Sequence, residues 1–221
     1  MKFKILYLFM LATFVGCGHT KKENNTTTNL SSLDPVEVKA TQEGYKKAYF
    51  ASGCFWCVEA IYESVKGVKE SISGYAGGTG ENPTYQNYGK TDHAEVVEII
   101  YDPKVVSYET LLDVYFASQN VTQKNGQGPD LGREYRSVIF YQNETEKQWI
   151  ESKIAEVSKQ YSQPVAAEVM PFQKFWIAED YHQDYKKHNP HNSYIRGVSI
   201  PRFNKFKEKF PNNLLKEKYQ K

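Results

Sequence analysis

The chain reads as an α+β two-layer sandwich: a mixed β-sheet with helices packed on it. Two observations predict this. Stretches of strand and helix periodicity alternate along the sequence, and they do so without the regular βαβ spacing of a doubly wound parallel sheet. Length agrees, since 221 residues allow one domain, or two small ones, with a real core. A formal net charge of +2 gives no concentrated basic face and argues against a nucleic-acid partner.

The elements follow in order. Lys2 and Lys4 form a basic n-region, Ile5 to Val15 an apolar run too short for a comfortable membrane span, and Gly16-Cys17 follows at once. Residues 1–17 thus resemble a bacterial lipoprotein signal, with Cys17 as the lipidated N-terminus; an ordinary signal peptide cut nearby is the alternative. Residues 18–44 are rich in Lys, Glu, Asn, Thr and Ser and are expected to form a flexible polar tether. Lys46 to Ser52 reads as a short strand. Gly53 punctuates it, and a helix follows with Phe55, Val58, Ile61 or Tyr62, and Val65 on one face, ending at Gly67. Val68 to Tyr75 and Ala94 to Tyr101 read as strands around a glycine-rich loop. That loop lacks the Walker lysine and the strand–GxGxxG–helix setting of a phosphate cradle. Ser107 caps a helix carrying Leu111, Leu112, Tyr115 and Phe116. Tyr135 to Tyr141 is a strand. Asn143 with Glu146 resembles a capping box, opening a helix that buries Ile150, Ile154 and Val157. Val165 to Met170 is the last expected strand, and the chain beyond Phe172 reads as irregular.

Chemistry concentrates at Cys54 and Cys57, the two cysteines after Cys17. A disulfide spanning so short a loop constrains the unfolded chain little, so a redox role explains the pair better than a structural one. Cys54 falls at a helix start, where free N–H groups favour a thiolate, and Cys57 lies one turn on, within reach of a disulfide. Structural zinc needs four ligands. No second cysteine pair exists, and the histidines (His19, His93, His182, His188 and His191) are scattered, so no metal is expected. A thioredoxin-like CxxC remains open, although Phe55 and Trp56 fill it with two bulky aromatics.

Gly53-Cys54-Phe55-Trp56-Cys57-Val58-Glu59 resembles the GCFWxxE signature of the peptide methionine sulfoxide reductase A family. The likeness continues through Gly74-Tyr75-Ala76-Gly77-Gly78, Asn82-Pro83-Thr84-Tyr85, His93-Ala94-Glu95-Val96, Tyr101-Asp102-Pro103, the stretch Gly126 to Ser137, Ala178-Glu179-Asp180-Tyr181-His182-Gln183 and Lys187-His188-Asn189-Pro190, so it spans residues 46 to 192. The resemblance implies a ferredoxin-like plait core and a catalytic domain over residues 45–200, leaving 201–221 as a C-terminal tail. It implies Cys54 as nucleophile and Glu95 as general acid. Tyr85 and Tyr135 would hydrogen-bond the sulfoxide oxygen, and Asp130 would orient substrate or water. Phe55 and Trp56 would cradle the S-methyl group, with His182 and Tyr185 behind them. Many relatives carry glycine at the position of Cys57 and resolve with C-terminal cysteines; this chain has none there, so Cys57 is the internal candidate to resolve a Cys54 sulfenic acid. The implied substrate is the S epimer of methionine sulfoxide, free or in proteins. The implied reductant is an external thioredoxin-like dithiol, with no prosthetic cofactor, in a monomer anchored to a membrane of the bacterial envelope through Cys17.

Two other classes fit the residues less fully. A thiol–disulfide oxidoreductase would reduce protein disulfides and ignore methionine sulfoxide, and a ligand-binding lipoprotein would keep its function in Cys54→Ser. For the signal segment, wild-type protein expressed in a bacterium should partition with membranes, and Cys17→Ser should be soluble or unprocessed. Mass spectrometry of the mature N-terminus checks this; a free, unmodified N-terminus elsewhere before Asp34 would leave only an ordinary secretory signal.

Overall fold

The structure is a computed structural model and describes residues 29–220, so Cys17 and the signal segment lie outside the described residues. The elements are β1 (Lys46–Ser52), α1 (Phe55–Glu63), β2 (Val68–Ala76), β3 (Ala94–Tyr101), α2 (Tyr108–Ala117), β4 (Gly126–Gln127), β5 (Asp130–Leu131), β6 (Ser137–Tyr141), α3 (Glu144–Ser158), β7 (Glu168–Pro171), β8 (Trp176–Ile177), α4 (Tyr185–His188) and α5 (Ile200–Lys209). Six strands form one sheet in the order β7-β6-β1-β3-β2-β8. The run β1-α1-β2-β3-α2-β6 gives the antiparallel core order β6-β1-β3-β2 of a ferredoxin-like plait. β7 pairs parallel with β6, which requires the crossover that α3 supplies, and so the sheet is mixed.

Period-two alternation divides the sheet into two faces. Along β1, Ala48 and Phe50 join the core under the helices, while Tyr49 and Ala51 face the other way. The helix face buries Phe55, Val58, Ile61 and Tyr62 of α1 with Leu111, Leu112 and Tyr115 of α2. Phe172, which stacks on Tyr49 at 3.8 Å, and the partly buried Leu30, Val38 and Phe175 cover the opposite face. The caps read from the sequence are present: Ser107 Oγ accepts from Thr110 N–H, and Asn143 Oδ1 accepts from Glu146 N–H. Glu146 returns its carboxylate to the Gln142 N–H, one residue ahead of the cap.

Three expectations are corrected. Tyr135 lies in a 3₁₀ turn before β6, and the strand expected from Val165 begins at Glu168, with a further short strand, β8, after it. The inner part of the expected tether is fastened to the sheet, with Val36 N–H donating to Phe172 O and Val38 N–H to the Gln142 side chain. The region after Phe172 is structured. A five-residue π turn, Ile195–Ser199, runs into α5, whose Phe203 and Phe206 join the helix-side core, and Lys66 and Lys216 N–H groups tie the end of the chain to the α1–β2 turn. The apolar spacing of α5 is visible in Phe203, Phe206 and Phe210, but its lysine-rich face masks it. Among the described residues no helix is long and apolar enough to cross a membrane.

Glu59 ties this C-terminal region to α1. Its buried carboxyl accepts from the Ser73 hydroxyl on β2 and from Asp184 N–H at 2.6 Å, and burial lifts its pKa to about 8. Glu59→Ala would leave two donors short of an acceptor and should cost about 2–3 kcal/mol in urea unfolding, with Glu59→Gln milder. Because the folded pKa lies above the ordinary 4.5, this contribution is full at low pH and fades as pH rises through about 8. The drop in urea midpoint between about pH 6.5 and about pH 9 should therefore shrink in Glu59→Gln.

Candidate active site

The site lies where β1 ends and α1 begins. Gly53 turns the chain with φ +74°, and a Cβ there would come within 2.5 Å of the Gln127 side chain, so only glycine delivers Cys54 to the helix start. Cys54 is the N-cap of α1; its carbonyl accepts from Cys57 and Val58 N–H at 3.1 and 3.3 Å. Both cysteines are buried free thiols joined by a side-chain hydrogen bond. Sequence spacing predicts a lowered Cys54 pKa. Instead burial, the bond to Cys57 and the nearby Glu95 carboxyl raise it, while the hydrogen bond from Cys54 holds Cys57 down to about 6.

Glu95 stands at the same helix start. Glu95, on β3, points to the helix face of the sheet, and its Oε2 accepts the Phe55 N–H at 2.8 Å. The first free donor of α1 therefore serves Glu95 rather than Cys54. Glu95 Oε1 accepts from the Tyr88 hydroxyl at 2.9 Å. The carboxyl is fully buried, and desolvation outweighs both donors, so its pKa rises to about 8. At neutral pH this is a carboxylic acid with a proton to give.

Hydroxyls and aromatic rings surround this pair. Tyr88 stacks on Tyr75 at 4.8 Å, and the Glu95 carboxyl raises the pKa of both Tyr88 and Tyr135 after burial itself. Tyr85 is the exposed member at 39%, its ring 5.8 Å from Tyr88 and 4.5 Å from His182, its N–H donated to Glu179. Asp130, on β5, accepts from Tyr194 OH at 2.5 Å, and that hydroxyl lies 3.8 Å from Cys57 Sγ. Trp56 stacks face to face on Tyr185 at 3.7 Å and donates its indole N–H to His182 Nδ1 at 3.1 Å. That bond places the His182 proton on Nε2, which is buried, has no partner and lies 3.9 Å from Glu179. Phe55 packs against His182 and Tyr75.

Every residue nominated from Cys54 to Tyr185 thus falls in one neighbourhood, although the positions come from seven separate stretches of chain. Sequence reasoning missed Tyr88 and Tyr194. Tyr88 lies three residues beyond Tyr85, but with 17 tyrosines in the chain residue type alone carries no signal. One group of three carboxylates occurs among the described residues, Glu59, Glu63 and Asp184, with oxygens within 4.8 Å of one another. Both Glu59 oxygens are already committed to donors, and Lys187 faces the other two carboxylates.

A buried thiol pair at a helix start, beside a protonated carboxyl and inside an aromatic wall, defines a thiol oxidoreductase on a ferredoxin-like plait. Comparison with known proteins gives the family. Residues 46–214 match the family described as peptide methionine sulfoxide reductase. The chain is 48% identical over 167 residues to the peptide methionine sulfoxide reductase MsrA of Pasteurella multocida, covering 75% of this chain and 96% of that one. It is 45% identical over 172 residues to the MsrA of Methanosarcina acetivorans, covering 76% and 90%. The solved structure of methionine sulfoxide reductase A of Corynebacterium diphtheriae superposes with a TM-score of 0.62 at 29% identity, covering 72% of this chain and 83% of that one. This chain belongs to the peptide methionine sulfoxide reductase family, and it is an oxidoreductase.

The Glu95 carboxyl should titrate near pH 8 by infrared difference spectroscopy, using Glu95→Gln to assign the band. Tyr88→Phe removes a donor that favours the charged form, so the midpoint should move further up, by about 1 unit. An unmoved midpoint would show that Tyr88 does not act on Glu95.

Proposed function

We propose that this chain reduces the S epimer of methionine sulfoxide, free or in proteins, through a Cys54 sulfenic acid that Cys57 resolves. The observation that carries the reading is the buried acid Glu95, tied to the Phe55 N–H beside Cys54 and protonated at neutral pH. Sulfoxide reduction needs a sulfur nucleophile and a proton for the departing oxygen within one bond length of reach, and this arrangement offers both.

In this scheme Phe55 and Trp56 hold the S-methyl group against their rings, with Tyr185 and His182 fixing the Trp56 indole. The hydroxyls of Tyr85 and Tyr135 bind the sulfoxide oxygen, Tyr88 holds Glu95 through its own hydroxyl, and Asp130, through Tyr194, orients substrate or water. The Cys54 sulfur attacks the sulfoxide sulfur while Glu95 gives its proton to the oxygen. The S–O bond of the substrate breaks as a Cys54 S–O bond forms, the transient bond between the two sulfurs breaks, and methionine leaves with Cys54 as sulfenic acid; Glu95 recovers the proton lost by the thiol. Cys57 then displaces the oxygen as water and closes a Cys54–Cys57 disulfide. An external thioredoxin-like dithiol reopens it by thiol–disulfide exchange, and no prosthetic group takes part. The similarity to relatives of the A type supports the choice of epimer. The sequence of residues 1–17 supports export and a lipid anchor at Cys17 in the cell envelope.

Cys54→Ser should abolish reduction even with excess dithiol, and residual turnover above the uncatalysed rate would sink the mechanism. Glu95→Gln should slow methionine formation in a single turnover by about 10²- to 10⁴-fold with little loss of binding. In wild type that step should fall as pH rises through about 8, where Glu95 loses its proton. Cys57→Ser should still release one methionine per enzyme but fail to recycle with a thioredoxin-like protein, while small thiols restore turnover in part. Normal thioredoxin-coupled turnover in that variant would assign resolution to an external thiol.

A further inference from the structure

We propose that Arg202 and Ser199 are positioning residues of the resolving step: from the C-terminal π turn and α5 they hold Cys57 as the thiolate that attacks the Cys54 sulfenic acid. The inference rests on the reading of Cys57 as the resolving thiol.

Three observations carry it. The first is helical spacing. Tyr194 and Ser199 stand one π turn apart and Arg202 three residues further, along continuous αR backbone, so all three address one side. Tyr194 fixes which side, since its hydroxyl lies 3.8 Å from Cys57 Sγ. The second is the seating of Arg202. Its Nε donates to Ser118 O at 2.9 Å and its Nη2 to Ser52 Oγ at 3.0 Å, which anchors the guanidinium between the end of α2 and the residue that precedes Gly53-Cys54. A Cβ on Gly53 would stand 3.4 Å from Nη1, so the fixed cation lies against the residue next to Cys54. The third is Ser199 Oγ. It is buried with no hydrogen-bond partner, and the nearby Cys57 is the titrating group that it bears on.

A cation and a spare hydroxyl both favour the charged form of a buried thiol. The other groups facing Cys57 are the Cys54 thiol on the same helix, Tyr194, the Glu95 carboxyl on β3 and Lys186 on α4. Lys186 is the weaker electrostatic partner, because its ammonium also lies over the Phe203 ring at 3.8 Å and is partly buried. In the step itself the Cys57 sulfur bonds to the Cys54 sulfur and the sulfenic S–O bond breaks. The oxygen leaves as water, taking the proton that Cys57 gave up. A higher thiolate fraction on Cys57 therefore speeds disulfide closure without touching the earlier attack on the sulfoxide.

The test is a rapid-quench series across pH with one equivalent of a blocked methionine sulfoxide. Methionine release and the loss of two hydrogens by mass spectrometry are followed separately. Arg202→Gln, which keeps a donor but no charge, should release its methionine at the wild-type rate and close the disulfide about 10-fold more slowly at about pH 5 but only about 2-fold more slowly near pH 7, with the pH midpoint of closure moved up by about 1 unit. Arg202→Lys should recover most of the rate, and Ser199→Ala should shift the midpoint in the same direction by less. If the wild type closes the disulfide and these variants close it with the same rate and midpoint, the assignment of Arg202 and Ser199 is overturned. If the wild type closes no Cys54–Cys57 disulfide at all, it is the reading of Cys57 that fails. Should Arg202→Gln not fold, Ser199→Ala decides on the same midpoint.

Discussion

The Glu95 carboxyl, bonded at once to the Phe55 N–H and the Tyr88 hydroxyl, is the contact on which the rest of the site depends. It docks the first turn of α1 against β3, and so fixes where Cys54 stands relative to the sheet. It also sets a carboxyl beside Cys54 that, after burial and the Cys57 thiol, opposes its ionisation. Helix-end effects are worth about 0.3–1 kcal/mol for an exposed group, rising to about 2 when partly buried. Burying a charge without full pairing costs several kcal/mol. Burial therefore wins at both groups: Glu95 keeps its proton, and so does Cys54, while Cys57 next to it carries the lowered pKa.

That distribution of protons suits a reaction in which oxygen must be protonated as sulfur is attacked. A carboxylate at Glu95 would oppose negative charge building on the attacking sulfur and on the sulfoxide oxygen. A carboxylic acid there does neither, and in the proposed reaction it is the group with a proton to give. The phenols of Tyr88 and Tyr135 extend the same environment. Their hydroxyls stay neutral and can donate, because burial and the neighbouring carboxyl both oppose ionisation.

The sheet organises this chemistry by having two differently covered faces. The helix face carries Glu95 among Val97 and Ile99, and α1 and α2 seal it. The other face is closed by Phe172, Phe175 and the inner end of the N-terminal segment. The Cys54 end of the helix face is left to be roofed by pieces with little regular structure. These are the Tyr85–Tyr88 loop, the β5 residue Asp130, the His182 turn and the Tyr194–Ser199 π turn. Glu59 and Gln183 hold much of that roof down through bonds to Asp184 N–H and to the backbone of Ser73.

The sequence by itself pointed to a mixed sheet with packed helices and to a thiol pair at a helix start, through the alternation along Ala94 to Tyr101, the glycine before Cys54 and the Ser107 and Asn143 caps; the plait, and Glu95 as the acid, came only from the ordered motifs from Gly53 to Pro190 that resemble the family. It gave no account of the C-terminal region, because α5 spaces Phe203 and Phe206, with Phe210 just beyond it, among lysines and the π turn before it has no local code. Tertiary structure alone decided which of 17 tyrosines meet the thiol pair, and it placed Tyr88 and Tyr194 there from opposite ends of the chain. It also reversed the expected ionisation of the two cysteines. Helix position is a local property that spacing reveals. Burial and the claim of Glu95 on the Phe55 N–H arise only when β3 and α1 are brought together across 40 residues.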